Sequence, residues 1–301
     1  MWSDLKKPIR PLFRAALAAT ERLWQWCFYL KGRLRRNPPK PWYSPPGCRV
    51  MVIAPHPDDE TLGCGAAILR HLGKGDPLSV VFVTDGSASR ALGLDAAAMR
   101  LRRAREAEAA MRILGVEDLH FLDLKENHWQ PHQLAALLRE RFRLTRPNLL
   151  YGPAPVDFHP EHRKTARAIH LAIDEHFQTD PPLLRLYQIQ VPLTSRLINL
   201  VLDSTAERTT LERAFRAYGS QVYSLTSAIR LRRYTAAYFT GGRGAEAFWQ
   251  LTGARFCSLY HGAVIPEKDE AWRGFRHGAF SDPLAFFKGR GTRKMLWKKT
   301  R

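Results

Sequence analysis

From position 49 onward, apolar and polar residues fall into two alternating rhythms. Nearly continuous apolar runs at 49–54, 78–84, 119–122, 148–151 and 184–191 read as buried strands. Between them, helical periodicity predicts helices over 61–72, 95–114, 131–144 and 160–177, the second of these stopped by Gly115. Strands alternating with helices predict an α/β fold with a doubly wound, mostly parallel sheet. Upstream, residues 8–36 carry an amphipathic helical pattern in which Leu12, Phe13, Leu17, Leu23, Trp24, Trp26, Phe28 and Tyr29 interleave with Arg and Lys. The prolines of 37–41 and 45–47 then predict a stiff linker. The chain thus divides into an extension and linker (1–46), a main domain (47–255) and a C-terminal tail (256–301). The loops at 86–95 and 123–130 and the stretch 192–235 follow no legible rhythm.

The first apolar run ends abruptly in Pro55-His56-Pro57-Asp58-Asp59-Glu60, and Gly63 and Gly65 follow. Adjacent carboxylates ionise together only where a cation or open water offsets their repulsion. A second cluster, Asp157-Phe158-His159-Pro160-Glu161-His162, stands just beyond the fourth run. Sheets of this class bind ligands at the carboxyl ends of their strands, so the topology brings the two clusters to one edge. A lone His-Pro-Asp is most simply a turn; two clusters at corresponding strand ends make a metal site the better reading. Gly63-Cys64-Gly65 is no phosphate loop, since it lacks the lysine and the spacing such a loop needs.

Charge adds a second theme. The chain has 47 Lys+Arg against 28 Asp+Glu, a formal net charge of +19. The excess sits at the ends, with Lys6, Lys7, Arg10, Arg14, Arg22 and Lys31 early and Arg293, Lys294, Lys298 and Lys299 late. Such a field favours anionic partners. Basic and aromatic residues interleaved in 8–36 suit an anionic membrane surface; a helix packed on the main domain is the alternative. No recognised nucleic-acid motif accompanies the charge, so no specific nucleic-acid partner is expected. Cys27, Cys48, Cys64 and Cys257 are widely spaced without a CxxC, which suits a reducing compartment. With no signal-peptide pattern and no run of about 18 apolar residues, the expected location is cytoplasmic, peripheral to a membrane if the extension docks there.

A hydrolytic zinc site takes three ligands from His and Asp/Glu and leaves one position for water. His56, one aspartate of the first cluster and one histidine of the second meet that count. The other aspartate can serve as general base, and a further histidine can stabilise an oxyanion. At this level the two aspartates are interchangeable.

Pro55-His56-Pro57-Asp58-Asp59-Glu60 followed by His159-Pro160-Glu161-His162 resembles the signature of the PIG-L/LmbE-like zinc-dependent N-acetylglucosaminyl deacetylases. The similarity runs from about Arg49 to about Leu251. It includes Thr84-Asp85-Gly86, Arg103-x-x-Glu106, Tyr218-Gly219-Ser220-Gln221 and Ala245-Glu246-Ala247-Phe248. The resemblance implies a Rossmann-like fold, Zn²⁺ (or another divalent ion) on His56, Asp59 and His162, Asp58 as general base and His159 stabilising the tetrahedral intermediate. It also implies a substrate-binding arginine, for which Arg103 is the candidate, and removal of an N-acetyl group from an amino sugar or its glycoconjugate. Two alternatives remain: an idle basic module binding acidic glycan or nucleic acid, and a zinc amidase acting on a non-sugar N-acyl substrate.

Overall fold

The computed structural model describes residues 6–34, 37–89, 91–157, 159–189, 193, 196–262, 264–265 and 298. Its centre is an eight-stranded sheet built from β1 (Lys40–Pro41), β2 (Val50–Ala54), β3 (Leu78–Thr84), β4 (Asp118–Leu124), β5 (Leu149–Pro153), β6 (Leu183–Tyr187), β7 (Leu200–Asp203) and β8 (Ala245–Thr252). The spatial order is β1-β7-β8-β6-β5-β2-β3-β4. All pairings are parallel except those of β8, which runs antiparallel to β6 and β7. From β2 the chain winds outward through β3 to β4, then returns to β5 on the other side of β2 and continues to β6. The order therefore reverses between β2 and β5, the place where such sheets open a crevice at their carboxyl edge.

Helices α2 (Asp59–Leu72), α3 (Ala96–Leu114), α4 (Pro131–Thr145), α5 (Pro160–His176), α6 (Arg208–Ala217), α7 (Val222–Phe239) and α8 (Gly253–His261) flank the sheet. β2, β3 and β5 are buried along their whole length, which is why they read as unbroken apolar runs. Alternate residues serve opposite faces. Met51, Ile53, Val81 and Leu150 pack with Leu138, Phe142 and Ile169 of α4 and α5. Val52, Ala54, Val80 and Phe82 pack with Ile68, Met111 and Phe215 of α2, α3 and α6.

Several sequence expectations shift. The run at 184–191 ends as a strand at Tyr187, and positions 190–191 lie outside the described residues. The stretch 192–235, without a legible rhythm, holds β7, α6 and most of α7. The tail expected from 256 begins inside α8, where Phe256 and Leu259 are buried in the core; residues 266–297 lie outside the described ones. The Pro-rich stretch is tied down: Lys40–Pro41 pairs with β7, and the Trp42 indole donates to Tyr151 Oη at 2.9 Å. Tyr151 also accepts from buried Arg185 at 2.7 Å and lies 3.0 Å from His71 Nε2, while His71 Nδ1 meets Asp76 at 2.6 Å. Helix α1 (Lys6–Arg33) packs on α7 through Phe28.

Helix α2 is broken. Cys64 leaves helical geometry at φ −148°, ψ 24°. A break frees backbone donors and acceptors that must find partners. Here the Glu246 carboxylate accepts from Ala66 N (2.7 Å) and Ala67 N (3.0 Å), and Arg232 donates both to Glu246 (2.7 Å) and to the Leu62 carbonyl (3.2 Å). Gly63 is required beside the break, since a Cβ there would lie 2.4 Å from the Tyr187 ring. The short first segment of α2 is thereby set at its own angle, and that segment starts at Asp59.

Candidate active site

The turn after β2 carries Asp58 at φ 140°, ψ −25°, a conformation strained for any residue with a Cβ. Strain of this kind costs on the order of 1–3 kcal/mol and persists only where surroundings enforce it. The enforcing partner is Arg103 of α3, which donates to the Pro57 carbonyl and to Asp58 Oδ1, the latter at 3.2 Å. Arg103 is itself buried and lies against Gly86, which takes φ 64° in the loop after β3.

Across the crevice, α5 begins at Pro160 with His159 as its N-cap. His159 Nδ1 accepts from Glu161 N at 3.3 Å, so in the neutral ring the proton sits on Nε2. The next turn brings in His162. Asp59 Oδ2 stands between the two clusters, 3.1 Å from His56 Nδ1 and 3.2 Å from His162 Nε2. His56, His159 and His162 each offer a nitrogen within 4.8 Å of the others. The two sequence clusters thus meet, bringing His56, Asp58, Asp59, His159 and His162 to one place.

Two carboxylates complete the surroundings. Asp157 Oδ2 lies 3.1 Å from His162 Nδ1, and its Oδ1 accepts from His159 N at 2.9 Å. Glu126, in the loop after β4, brings Oε1 to 3.5 Å from His56 Nε2. Sequence reasoning gave neither a role, although Asp157 stood inside the second cluster. A carboxylate two positions past a strand that ends at this same edge was the available signal for Glu126. The other acidic members of the motifs bind elsewhere: Glu60 accepts from Tyr218, Thr61 and, at 3.1 Å, the backbone N–H of Asp58, and Glu161 accepts from Trp129 and Lys164.

Electrostatics follow from burying these groups together. Burial disfavours the charged form of His56, yet the neighbouring carboxylates of Asp59 and Glu126 raise it to about 9. Burial likewise opposes charge on His162, and Asp59 and Asp157 raise it well above the ordinary imidazole value. Asp59 would be raised by burial, but the two imidazoles hold it well below the usual carboxylate range. Glu60 moves the other way, pushed up by burial to about 7. Buried His56 Nε2 and both ring nitrogens of His162 make no aligned hydrogen bond within the protein. Buried polar atoms without partners are costly, and imidazole nitrogens converging on a shared carboxylate oxygen suit a divalent cation. The donor set fits zinc.

Residues 51–173 match the PIG-L family model, GlcNAc-PI de-N-acetylase. This segment is similar to the PIG-L family. Among the described residues, the matched segment holds every group converging on Asp59. Among curated proteins, the diacetylchitobiose deacetylase of Thermococcus kodakarensis is 30% identical over 120 residues, 38% of this chain and 45% of that protein. The 1D-myo-inositol 2-acetamido-2-deoxy-alpha-D-glucopyranoside deacetylase of Streptomyces griseus is 30% identical over 170 residues, 46% of this chain and 53% of the relative. The chain spans about half the length of these two relatives. Among solved structures, N,N'-diacetylchitobiose deacetylase from Pyrococcus horikoshii superposes with a TM-score of 0.59 at 21% identity, over 74% of this chain and 88% of that one. That likeness establishes the fold, a Rossmann-like sheet with flanking helices.

Proposed function

We propose that the PIG-L domain is a metal-dependent N-deacetylase that hydrolyses the N-acetyl group of an amino sugar or its glycoconjugate. The observation that carries this is the meeting of His56 and His162 on one oxygen of Asp59, beside a strained Asp58 gripped by Arg103. The relatives named as sugar deacetylases support the substrate class.

In this reading His56, Asp59 and His162 hold the ion, which when bound supplies Lewis acidity to polarise the amide and depress the pKa of water. Asp58 accepts the proton of the attacking water, within the roughly 10²–10⁴-fold range of general-base catalysis. His159, with its proton on Nε2, donates to the carbonyl oxygen as negative charge develops there. The C–N bond then breaks, Asp58 returns its proton to the leaving amine, and acetate departs. Arg103 is assigned to holding Asp58, since its buried guanidinium already has the Pro57 carbonyl and Asp58 as partners. Asp157 orients His162 from the far side of the ring.

The test is acetate release from a panel of N-acetylated amino sugars, free and carrier-linked, together with metal content. Expected are about one divalent ion per chain, three protein ligands being the hydrolytic pattern, and a rate lowered roughly 10²-fold or more by Asp58→Asn. Undiminished acetate release by Asp58→Asn would sink the mechanism. Release from non-sugar amides alone would move the substrate class.

A further inference from the structure

Helix α1 has two faces, and among the described residues only one has a partner. Phe28 packs on Tyr234 (ring centroids 5.4 Å) and Tyr238 (6.4 Å), and Gly32 lies so close to α7 that a Cβ would come 2.0 Å from the Tyr238 carbonyl oxygen. At about 100° per residue, Leu23, Trp26, Leu30 and Leu34 fall within an arc of roughly 80° on the opposite side. These four are 60%, 59%, 40% and 83% exposed. A contiguous apolar stripe in water marks an interaction surface. Exposed Arg22 and Arg33 border the stripe on one side and exposed Lys31 on the other.

We propose that this outward face of α1 docks the protein on an anionic lipid surface. Leu and Trp flanked by long basic side chains is the chemistry of a helix lying in a bilayer interface, where the stems of Lys and Arg run along the apolar zone and their charges meet lipid phosphates. The charge selects the occupant. A second copy would set Arg22, Lys31 and Arg33 against like charges on a chain of net charge +19. The chain's own C-terminal end, with Arg290, Arg293, Lys294, Lys298 and Lys299, would do the same. An anionic bilayer reverses the sign.

The geometry also relates the docked face to the site. Phe28 meets Tyr234 and, one turn on, Gly32 meets Tyr238, so α1 and α7 run in the same direction. The earlier turns of α1 therefore lead back toward the start of α7, where Gln221 donates to Ser89 in the loop after β3 at 3.2 Å. A bilayer against α1 would lie on the flank from which that loop is reached. The corollary, that the amino sugar is met at a lipid surface, rests on the deacetylase reading; the docking does not.

The test is co-sedimentation of the full chain with vesicles of phosphatidylglycerol and phosphatidylcholine, and with phosphatidylcholine vesicles alone. Partition onto the mixed vesicles is expected, weaker by roughly tenfold or more on neutral vesicles and for the triple variant Leu23→Ser/Trp26→Ser/Leu30→Ser. The replaced side chains are exposed, so the variant should keep the parent's urea midpoint and its acetate release from a soluble substrate. Equal partition of variant and parent overturns the proposal. So does a parent that ignores anionic vesicles and instead self-associates in sedimentation velocity through this face. Binding is read without turnover, so failure here and failure of the deacetylase reading are separate results.

Discussion

Removing the carboxylate of Glu246 should unseat the first segment of α2 and, with it, Asp59. The side chain is 3% exposed and serves three donors: Ala66 N, Ala67 N and Arg232. Glu246→Ala leaves two backbone N–H groups and a buried guanidinium short of an acceptor. Breaking a buried pair from one side costs about 3–5 kcal/mol. Burial holds the Glu246 carboxyl above its ordinary value despite Arg232 and the two N–H groups. Burying this carboxylate thus costs more than its partners return, so the pair serves to position α2 and adds no net stability. Adding Arg232→Met to Glu246→Ala should then recover roughly 1.5–3 kcal/mol of the loss, a coupling expected of groups in one network. Urea unfolding of the parent, both single variants and the double variant gives the cycle, and zinc affinity by competition with a chromophoric chelator reports Asp59. A Glu246→Ala protein within about 1 kcal/mol of the parent, or additive single losses, would refute the reasoning, since typical surface changes stay within about 0.5 kcal/mol.

Two further outcomes concern buried groups outside the histidine and aspartate cluster. Burial pushes His71 down to about 4, against about 6.5 in an unfolded chain, so the unfolded state takes up the extra proton first. Stability is therefore full above about pH 6.5 and falls as pH drops toward 4, by about 2 kcal/mol between about pH 7 and pH 5. His71→Gln should flatten that part of the profile in urea titrations, and an unchanged slope would contradict it. Gly63→Ala should cost about 1–3 kcal/mol by overpacking, because the Tyr187 ring it strikes is buried and tethered by its hydroxyl to the Ile53 carbonyl at 2.7 Å. An unchanged urea midpoint would show that α2 yields there.

The winding from β2 to β6 was legible because strands buried on both faces announce themselves as unbroken apolar runs. The chain beyond β6 was harder to read. β7 has only four residues, and β8 runs antiparallel and includes Glu246 at a buried position. Neither fits a helix-separated parallel rhythm. Helix α7 was obscured for another reason: it is apolar toward the sheet, as at Leu225 and Ala228, and also aromatic toward α1, so no single stripe stands out. Within the site, the paired motifs located all five converging groups, because adjacent acids and HxxH carry their chemistry in residue type. Arg103 was legible as a cation near the site but not as a buried partner of Asp58, since burial depends on Gly86 and α3 packing over the turn. Glu126 escaped because a single acid in a loop looks like solvent-facing charge.

The break in α2 means that donors and braces are inherited from different thirds of the chain. The groups converging on Asp59 all lie within 51–173. The contacts that fix the pitch of that turn arrive much later: Tyr218 grips Glu60, Ser220 donates to Glu106 three residues on from Arg103, and Glu246 terminates the broken helix. The later third works like the abutment of an arch, touching none of the chemistry and setting the angle of every stone. Substitutions across 204–246 can therefore retune spacing at Asp59 while leaving every chemical group in place.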